Sequence, residues 1–315
     1  MKRLHRWSRK LLLLGRHHGI VLLYHRIADA GADPQLLCVS PSHFQEHLEV
    51  LKGRYPVSAL DVVARGLAEK GRFPFRFAAV TFDDGYADNL HNAKPVLEVA
   101  GVPATVFIST GYLDGTREMW SDELERILLP TSERGAVAWN VLQASASGSR
   151  QERYRLLCEE LRSVPEPKRN VVLDGLRKEF HCDPVVRPSH RFMTPDEVVE
   201  LARGGLIDVG AHCVSHTLLS ALSVAEQERE IAGSRVRLEA LMSRPVTALS
   251  YPFGYRGSYT AETVRLARES GFHLACANFP GLVTRGTSPF EMPRFLVRDW
   301  DGDEFARRLD GFFRG

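Results

Sequence analysis

Short apolar runs alternate with amphipathic segments along most of the chain. Seven runs have strand length: Gly19–His25 (GIVLLYH), Phe77–Phe82, Ala104–Ser109 (ATVFIS), Ile207–His212 (IDVGAH), Thr247–Tyr251 (TALSY), His273–Ala277 (HLACA) and Phe295–Arg298. Between them lie segments with helical spacing. Ser42–Leu51 follows a Ser-Pro start signal and carries Phe44, Leu48 and Leu51 on one face. Asp88–Val99, Thr194–Arg203, Ala225–Met242, Thr260–Ser270 and Asp303–Phe312 read in the same way. Seven strands separated by helices predict an α/β fold, a (β/α) barrel that is complete or open on one side.

Residues 113–191 break this rhythm. They hold three helical candidates, Asp122–Leu129, Gln151–Ser163 and Pro167–Phe180, interrupted by the loop-like LQASASGSR (142–150) and VPEPK (164–168). The expected organisation is a basic N-terminal segment (1–18) followed by one domain (19–312). A helical insertion at about 113–191 serves that domain either as a lid or as a stabilising elaboration.

Composition narrows the class. A chain of 315 residues with 44% hydrophobic and 25% charged residues can bury a large core, and a net charge of +2 calls for no nucleic-acid partner. Five cysteines, an odd number without C-x-x-C spacing, indicate neither a disulfide framework nor a cysteine zinc site and fit a reducing compartment. The N-terminus is basic (Lys2, Arg3, Arg6, Arg9, Lys10, Arg16), but its apolar run spans only Leu11–Leu14, too short for a secretory h-region. The expectation is a cytoplasmic protein whose first residues form a terminal helix, docked or frayed, or touch the anionic inner face of a membrane. No obligate protein partner is indicated.

Two stretches carry candidate chemistry. AAVTFDDGYAD (78–88) ends a strand in two adjacent carboxylates, Asp83 and Asp84. GAHCVSH (210–216) ends another in His212 and His216, whose spacing suits half of a metal site. Both lie at the C-terminal ends of predicted parallel strands, the edge at which β/α barrels gather functional loops. One carboxylate could bind a metal and its neighbour could act as a base toward water, the combination that hydrolysis of an unactivated amide or ester requires.

TFDDGY (81–86), HCVSH (212–216) and SYPFG (250–254) together resemble the polysaccharide deacetylases of carbohydrate esterase family 4, which share the NodB-homology domain. The resemblance covers roughly residues 19–112 and 192–312 and implies a distorted (β/α)7 barrel. It also implies a divalent metal, of the zinc type, held by Asp84, His212 and His216, with Asp83 as the base. The Phe253 N–H beside Pro252 would hold the oxyanion. Two departures stand out. Cys213 replaces the hydroxyl residue of the second motif, and Ser250 stands where the third motif usually has an arginine that pairs with the base. Arg294, in MPRFLV, is the candidate substitute. The family's late acid histidine is missing, whereas LLYHRI (22–27) puts His25 at the end of the first strand. This is similar to the circularly shifted branch that includes poly-β-1,6-N-acetylglucosamine deacetylases, and it makes His25 the expected acid.

Tyr86, Tyr112, Trp120, Tyr251 and Phe253 are candidates for contact with sugar faces. The expected substrate is an N-acetylhexosamine-containing glycan or a lipid-linked precursor. The alternatives are a deformylase or amidase with the same metal chemistry, and a silent glycan-binding relative.

Overall fold

A computed structural model describes residues 18–69, 76–129 and 149–313. The expected N-terminal helix and most of LQASASGSR lie outside these residues. All seven expected strands form, each a residue or more shorter or shifted at its ends: β1 (His18–Tyr24), β4 (Arg76–Phe82), β5 (Ala104–Ile108), β6 (Ile207–Ala211), β7 (Ala248–Ser250), β8 (Leu274–Cys276) and β10 (Phe295–Leu296). They form one curled sheet in the order β10-β1-β4-β5-β6-β7-β8, with parallel pairing throughout. The stretch leading into β10 touches both edges of the curl. Met292 bridges Cys276 in parallel, and three residues later Phe295 pairs with Leu22 of β1. The result is a distorted, half-open barrel.

Three short strands were not anticipated: β2 (Arg26–Ile27) and β3 (Cys38–Val39), which pair with each other, and β9 (Val283–Thr284), which runs antiparallel to β1. At two residues each they are too short to leave a periodic signal.

Alternation along the strands separates two apolar layers. Ile20, Leu22, Ala78, Val80, Phe82, Val106 and Val209 face outward, onto the helices. These include α1 (Pro41–Arg54), α3 (Lys94–Ala100), α7 (Pro195–Ala202), α8 (Val224–Met242), α9 (Ala261–Glu269) and α10 (Gly302–Phe312). The alternate residues Val21, Phe77, Ala79, Phe107, Ala248, Leu274 and Cys276 fill the inside of the curl, joined by Leu60, Val63, Ala64 and Leu67 of α2 (Leu60–Ala68). Gly210 is part of this inner packing, because a Cβ there would lie 2.5 Å from the Phe107 ring.

Helix α2 was not anticipated; no side chain caps its start at Ala59. The helix expected over Asp88–Val99 begins instead with a π turn at Asn89–Ala93, before α3. Capping boxes at Ser149/Glu152, Thr194/Glu197 and Ser223/Glu226 set the starts of α5 (Arg150–Leu161), α7 and α8.

The insertion contains α4 (Trp120–Leu128), α5 (Arg150–Leu161) and α6 (Glu166–Glu179), close to the expected spans. These helices bury their own apolar cluster (Leu124, Ile127, Tyr154, Leu157, Leu161, Leu173 and Leu176), which continues into Tyr86, Tyr112 and Phe192 of the barrel side. No described helix is long and apolar enough to cross a membrane.

Candidate active site

The alternation that sends Phe77, Ala79 and Thr81 inward continues one step past β4 to Asp83. In the same way β1 leads to His25, β6 to His212 and β7 to Ser250. The strand period therefore assembles a ring of polar side chains at the C-terminal mouth of the barrel.

Asp83 is buried and held on several sides. Arg294 Nη1 donates to its Oδ1 and Nη2 to its Oδ2, both at 2.7 Å. Ser250 Oγ donates to Oδ2 at 3.0 Å and accepts from Arg294 Nη2 at 2.8 Å. The guanidinium is itself fixed by Nε donating to the Ala277 carbonyl (2.9 Å) and by Nη1 on Thr81 Oγ1 (3.2 Å). Burial raises the Asp83 pKa, but the paired Arg294 outweighs it and holds the carboxyl well below the usual carboxylate range. Arg294 thus sits where the third motif's arginine was missing, and Ser250 bridges the two groups.

Asp84 has a left-handed backbone (φ 76°), which turns its side chain away from Asp83 toward the histidines. Its Oδ1 lies 3.5 Å from His212 Nε2 and 3.4 Å from His216 Nε2, and no hydrogen-bond donor reaches it among the described residues. His212 Nδ1 meets the Ser250 carbonyl at 2.8 Å. A carbonyl can only accept, so that nitrogen carries the proton and Nε2 keeps its lone pair. Burial and then the Asp83 charge push Asp84 well above its ordinary value, while burial pushes both histidines down. Three potential donors, one carboxylate and two imidazoles held neutral by burial, converge within 4.8 Å of one another, with no cationic side chain bonded to Asp84 Oδ1 among the described residues. That donor set fits a divalent cation. A second grouping, Asp122, Glu125 and His190, does not fit one, because Tyr86 Oη donates to Asp122 (2.7 Å) and Arg187 Nη1 to Glu125 (3.1 Å).

The loop between the histidines is not helical. Cys213 and His216 both have left-handed backbones (φ 61° and 50°). Glu230 of α8 stabilises this shape, with Oε2 accepting from the Val214 and Ser215 N–H groups (2.9 Å each) and Oε1 from Ser215 Oγ (2.6 Å). The support expected of a hydroxyl at position 213 comes from Ser215 and Glu230, and Cys213 joins the apolar core.

Asp83, Asp84, His212 and His216 line a cavity of about 200 Å³ together with His25, Gln35, Tyr86, Met119, Trp120, Ser121, Arg162, Phe253, Tyr255 and Asn278. The insertion therefore supplies part of the wall. The His25 carbonyl accepts from Asn89 Nδ2 (2.8 Å) at the π turn, and its buried Nδ1 has no partner among the described residues. Burial pushes the His25 imidazole down to about 4. Phe253 has φ 63°, and among the described residues its N–H has no acceptor. The following Gly254 is required, since a Cβ there would lie 2.6 Å from the Asn278 N.

Three expected substrate contacts are corrected. Tyr251 is 1% exposed, donates to the Phe290 carbonyl and stacks on Tyr259, so it belongs to the core rather than the cavity. Pro252 is also buried and outside the lining, and so is Tyr112, which stacks on Phe192. Tyr86, Trp120 and Phe253 do line the cavity. Glu230, Thr81 and Asn89 were not singled out from the sequence. Thr81 was legible in principle, two residues before Asp83 on the inward face, whereas nothing local marks Glu230 or Asn89.

The sequence profile described as polysaccharide deacetylase matches residues 70–156 and 169–275. YxkH of Bacillus subtilis (strain 168), whose name places it among the polysaccharide deacetylases, is 20% identical over 278 residues, 88% of this chain and 70% of its own length. Among solved structures, the Streptococcus pyogenes deacetylase PplD in complex with acetate superposes with a TM-score of 0.63 at 16% identity, covering 93% of this chain and 99% of that one. IcaB from Ammonifex degensii gives 0.61 at 17% identity, covering 94% and 97%.

Proposed function

The chain belongs to the polysaccharide deacetylase family, whose members are hydrolases of sugar amide bonds, and from that premise we propose that it is a metal-dependent N-deacetylase. Its substrate in this reading is the N-acetylhexosamine of a glycan or of a lipid-linked glycan precursor. One observation carries the proposal: an arginine-paired carboxylate, Asp83, stands beside three converging lone-pair donors, Asp84, His212 and His216, at the base of one cavity.

Asp84 Oδ1, His212 Nε2 and His216 Nε2 are the proposed ligands, a set that suits zinc. A divalent cation held by these three residues would supply Lewis acidity, lowering a water's pKa from about 15.7 toward about 7. Asp83 accepts the proton of the attacking water. The paired Arg294 favours its ionised form, and Arg294 and Ser250 fix its orientation. The Phe253 N–H donates to the oxyanion as it forms. His25 delivers a proton to the departing amine, releasing acetate and a free amino sugar. Because burial keeps His25 neutral at rest, the proton it delivers is the one Asp83 takes from the attacking water, handed on as negative charge develops on the substrate beside them.

Acetate release from a panel of N-acetylated oligosaccharides and lipid-linked sugars, with and without chelator, tests this reading. Acetate should appear and the chelator should stop it. Asp83→Asn should keep its metal and lose about 10²- to 10⁴-fold in turnover, whereas His216→Ala should lose both. Release of formate instead, indifference to chelator, or a wild-type rate in Asp83→Asn contradicts it.

A further inference from the structure

Among the polar atoms buried around the cavity, four have no hydrogen-bond partner among the described residues: Asp84 Oδ1, His216 Nδ1, His25 Nδ1 and Trp120 Nε1. The first three belong to the metal and proton machinery. The fourth does not. Trp120 is 4% exposed and opens α4, so its indole N–H is a donor withdrawn from water with no acceptor in return. Leaving such a donor unpaired is costly, and buried tryptophans usually find a partner.

The indole is also held firmly. The Arg169 guanidinium of α6 lies 5.1 Å from its ring centroid. Arg169 is fully buried, and its Nη2 donates to the Ser215 carbonyl at 2.8 Å, on the loop between His212 and His216. Its Nε and Nη1 have no hydrogen-bond partner among the described residues, and Glu166 and Glu230 act on it only through space. One side chain of the insertion therefore ties the cavity's indole to the loop that carries the histidines. A buried guanidinium without a directly paired counter-ion is hard to justify as a stabilising device; as a strut between two parts of a binding site it has a purpose.

We propose that Trp120 is a specificity-determining residue, its Nε1–H donating to a hydroxyl or carbonyl oxygen of the bound N-acetylated sugar, with Arg169 as the positioning residue that holds the ring in register with the histidine loop. The insertion is then part of the substrate site rather than a stabilising addition. This inference rests on the deacetylase reading above.

The test compares the metal-loaded wild type with Trp120→Phe, which keeps an aromatic ring over Arg169 and removes only the donor. With tri-N-acetylchitotriose or another active oligomer from the acetate-release panel as probe, KM should rise about fivefold to tenfold, the size of one neutral hydrogen bond. The metal content should not change, and kcat should fall by less than KM rises. A spectroscopic readout separates a contact from mere packing. In ¹⁵N-labelled protein, the indole resonance that Trp120→Phe deletes should shift on sugar addition, and its exchange with water should slow. Equal KM in the two proteins, or an indole signal that stays put while the sugar binds, overturns the inference and leaves the deacetylase reading intact. A wild type that neither binds nor deacetylates any N-acetylated sugar overturns both.

Discussion

Arg294 is the residue on which the chemistry of Asp83 turns. It comes from the far end of the sequence, 211 positions after its partner. In the fold it lies within the barrel, on the stretch that joins the two sheet edges. Arg294→Ala would leave a buried carboxylate with only Ser250 and water-excluded space around it. The expected loss is about 3–5 kcal/mol of stability, the usual result of removing one partner of a buried pair. Activity should fall at least about 100-fold. The sign with pH follows from the depressed pKa: the pair stabilises the fold above the unfolded carboxyl value of about 3.9, and that contribution disappears as pH falls below it. In the variant, unopposed burial raises the Asp83 pKa, so the acidic limb of kcat/KM should move to higher pH. An unmoved limb would show that Arg294 does not set the charge of Asp83. The two aspartates and two histidines were legible because short motifs carry them. Arg294 was legible only as an arginine in search of a partner once Ser250 had left a vacancy in the third motif. Tyr251 was misread because a motif gives proximity in sequence but not the side of the strand on which a ring lies.

At the scale of elements, the strands and most helices could be read from periodicity, because burial on alternating faces is written directly in the residue pattern. The support of the site was not, since it comes from elements that meet only after folding. Helix α8 illustrates this. Glu230 lies on an ordinary charged surface helix in sequence, yet the three hydrogen bonds its carboxylate accepts shape the loop that aims His212 and His216. Glu230→Gln, which retains only part of that acceptor capacity, should weaken zinc binding about 10- to 100-fold without touching a ligand. Competition against a chromophoric chelator measures this directly. Unchanged affinity would mean that the left-handed turns at Cys213 and His216 hold the loop by themselves.

Across the whole molecule, the first helix, the first strand and the chain's closing segment are locked together by a group that the sequence did not single out. His47 of α1 is fully buried and stacked on Phe305. Its Nδ1 meets Tyr24 Oη (3.2 Å) and its Nε2 the Trp300 carbonyl (2.7 Å). Burial pushes its pKa down to about 4. A folded value below the unfolded one of about 6.5 means that the contribution is complete above that pH and is lost as the solution is acidified toward 4. The loss amounts to up to about 3 kcal/mol. Urea unfolding at pH 7.5 and pH 4.5 should show a larger drop for the wild type than for His47→Gln, and equal drops would remove His47 as a cause of acid sensitivity. Such cross-chain locks, like the insertion's wall on the cavity, stay hidden in sequence because their partners lie hundreds of residues apart.

The central claim is that one cation sits between Asp84 and the two histidines, next to a carboxylate that is free to act on water. Diffraction from crystals of active, zinc-loaded protein, recorded on both sides of the zinc absorption edge, addresses it most directly. The account predicts a single strong anomalous peak within about 2.0–2.2 Å of Asp84 Oδ, His212 Nε2 and His216 Nε2, with Asp83 outside its bonding reach. A peak elsewhere in the molecule, or none at these three atoms in crystals that still release acetate, would contradict it.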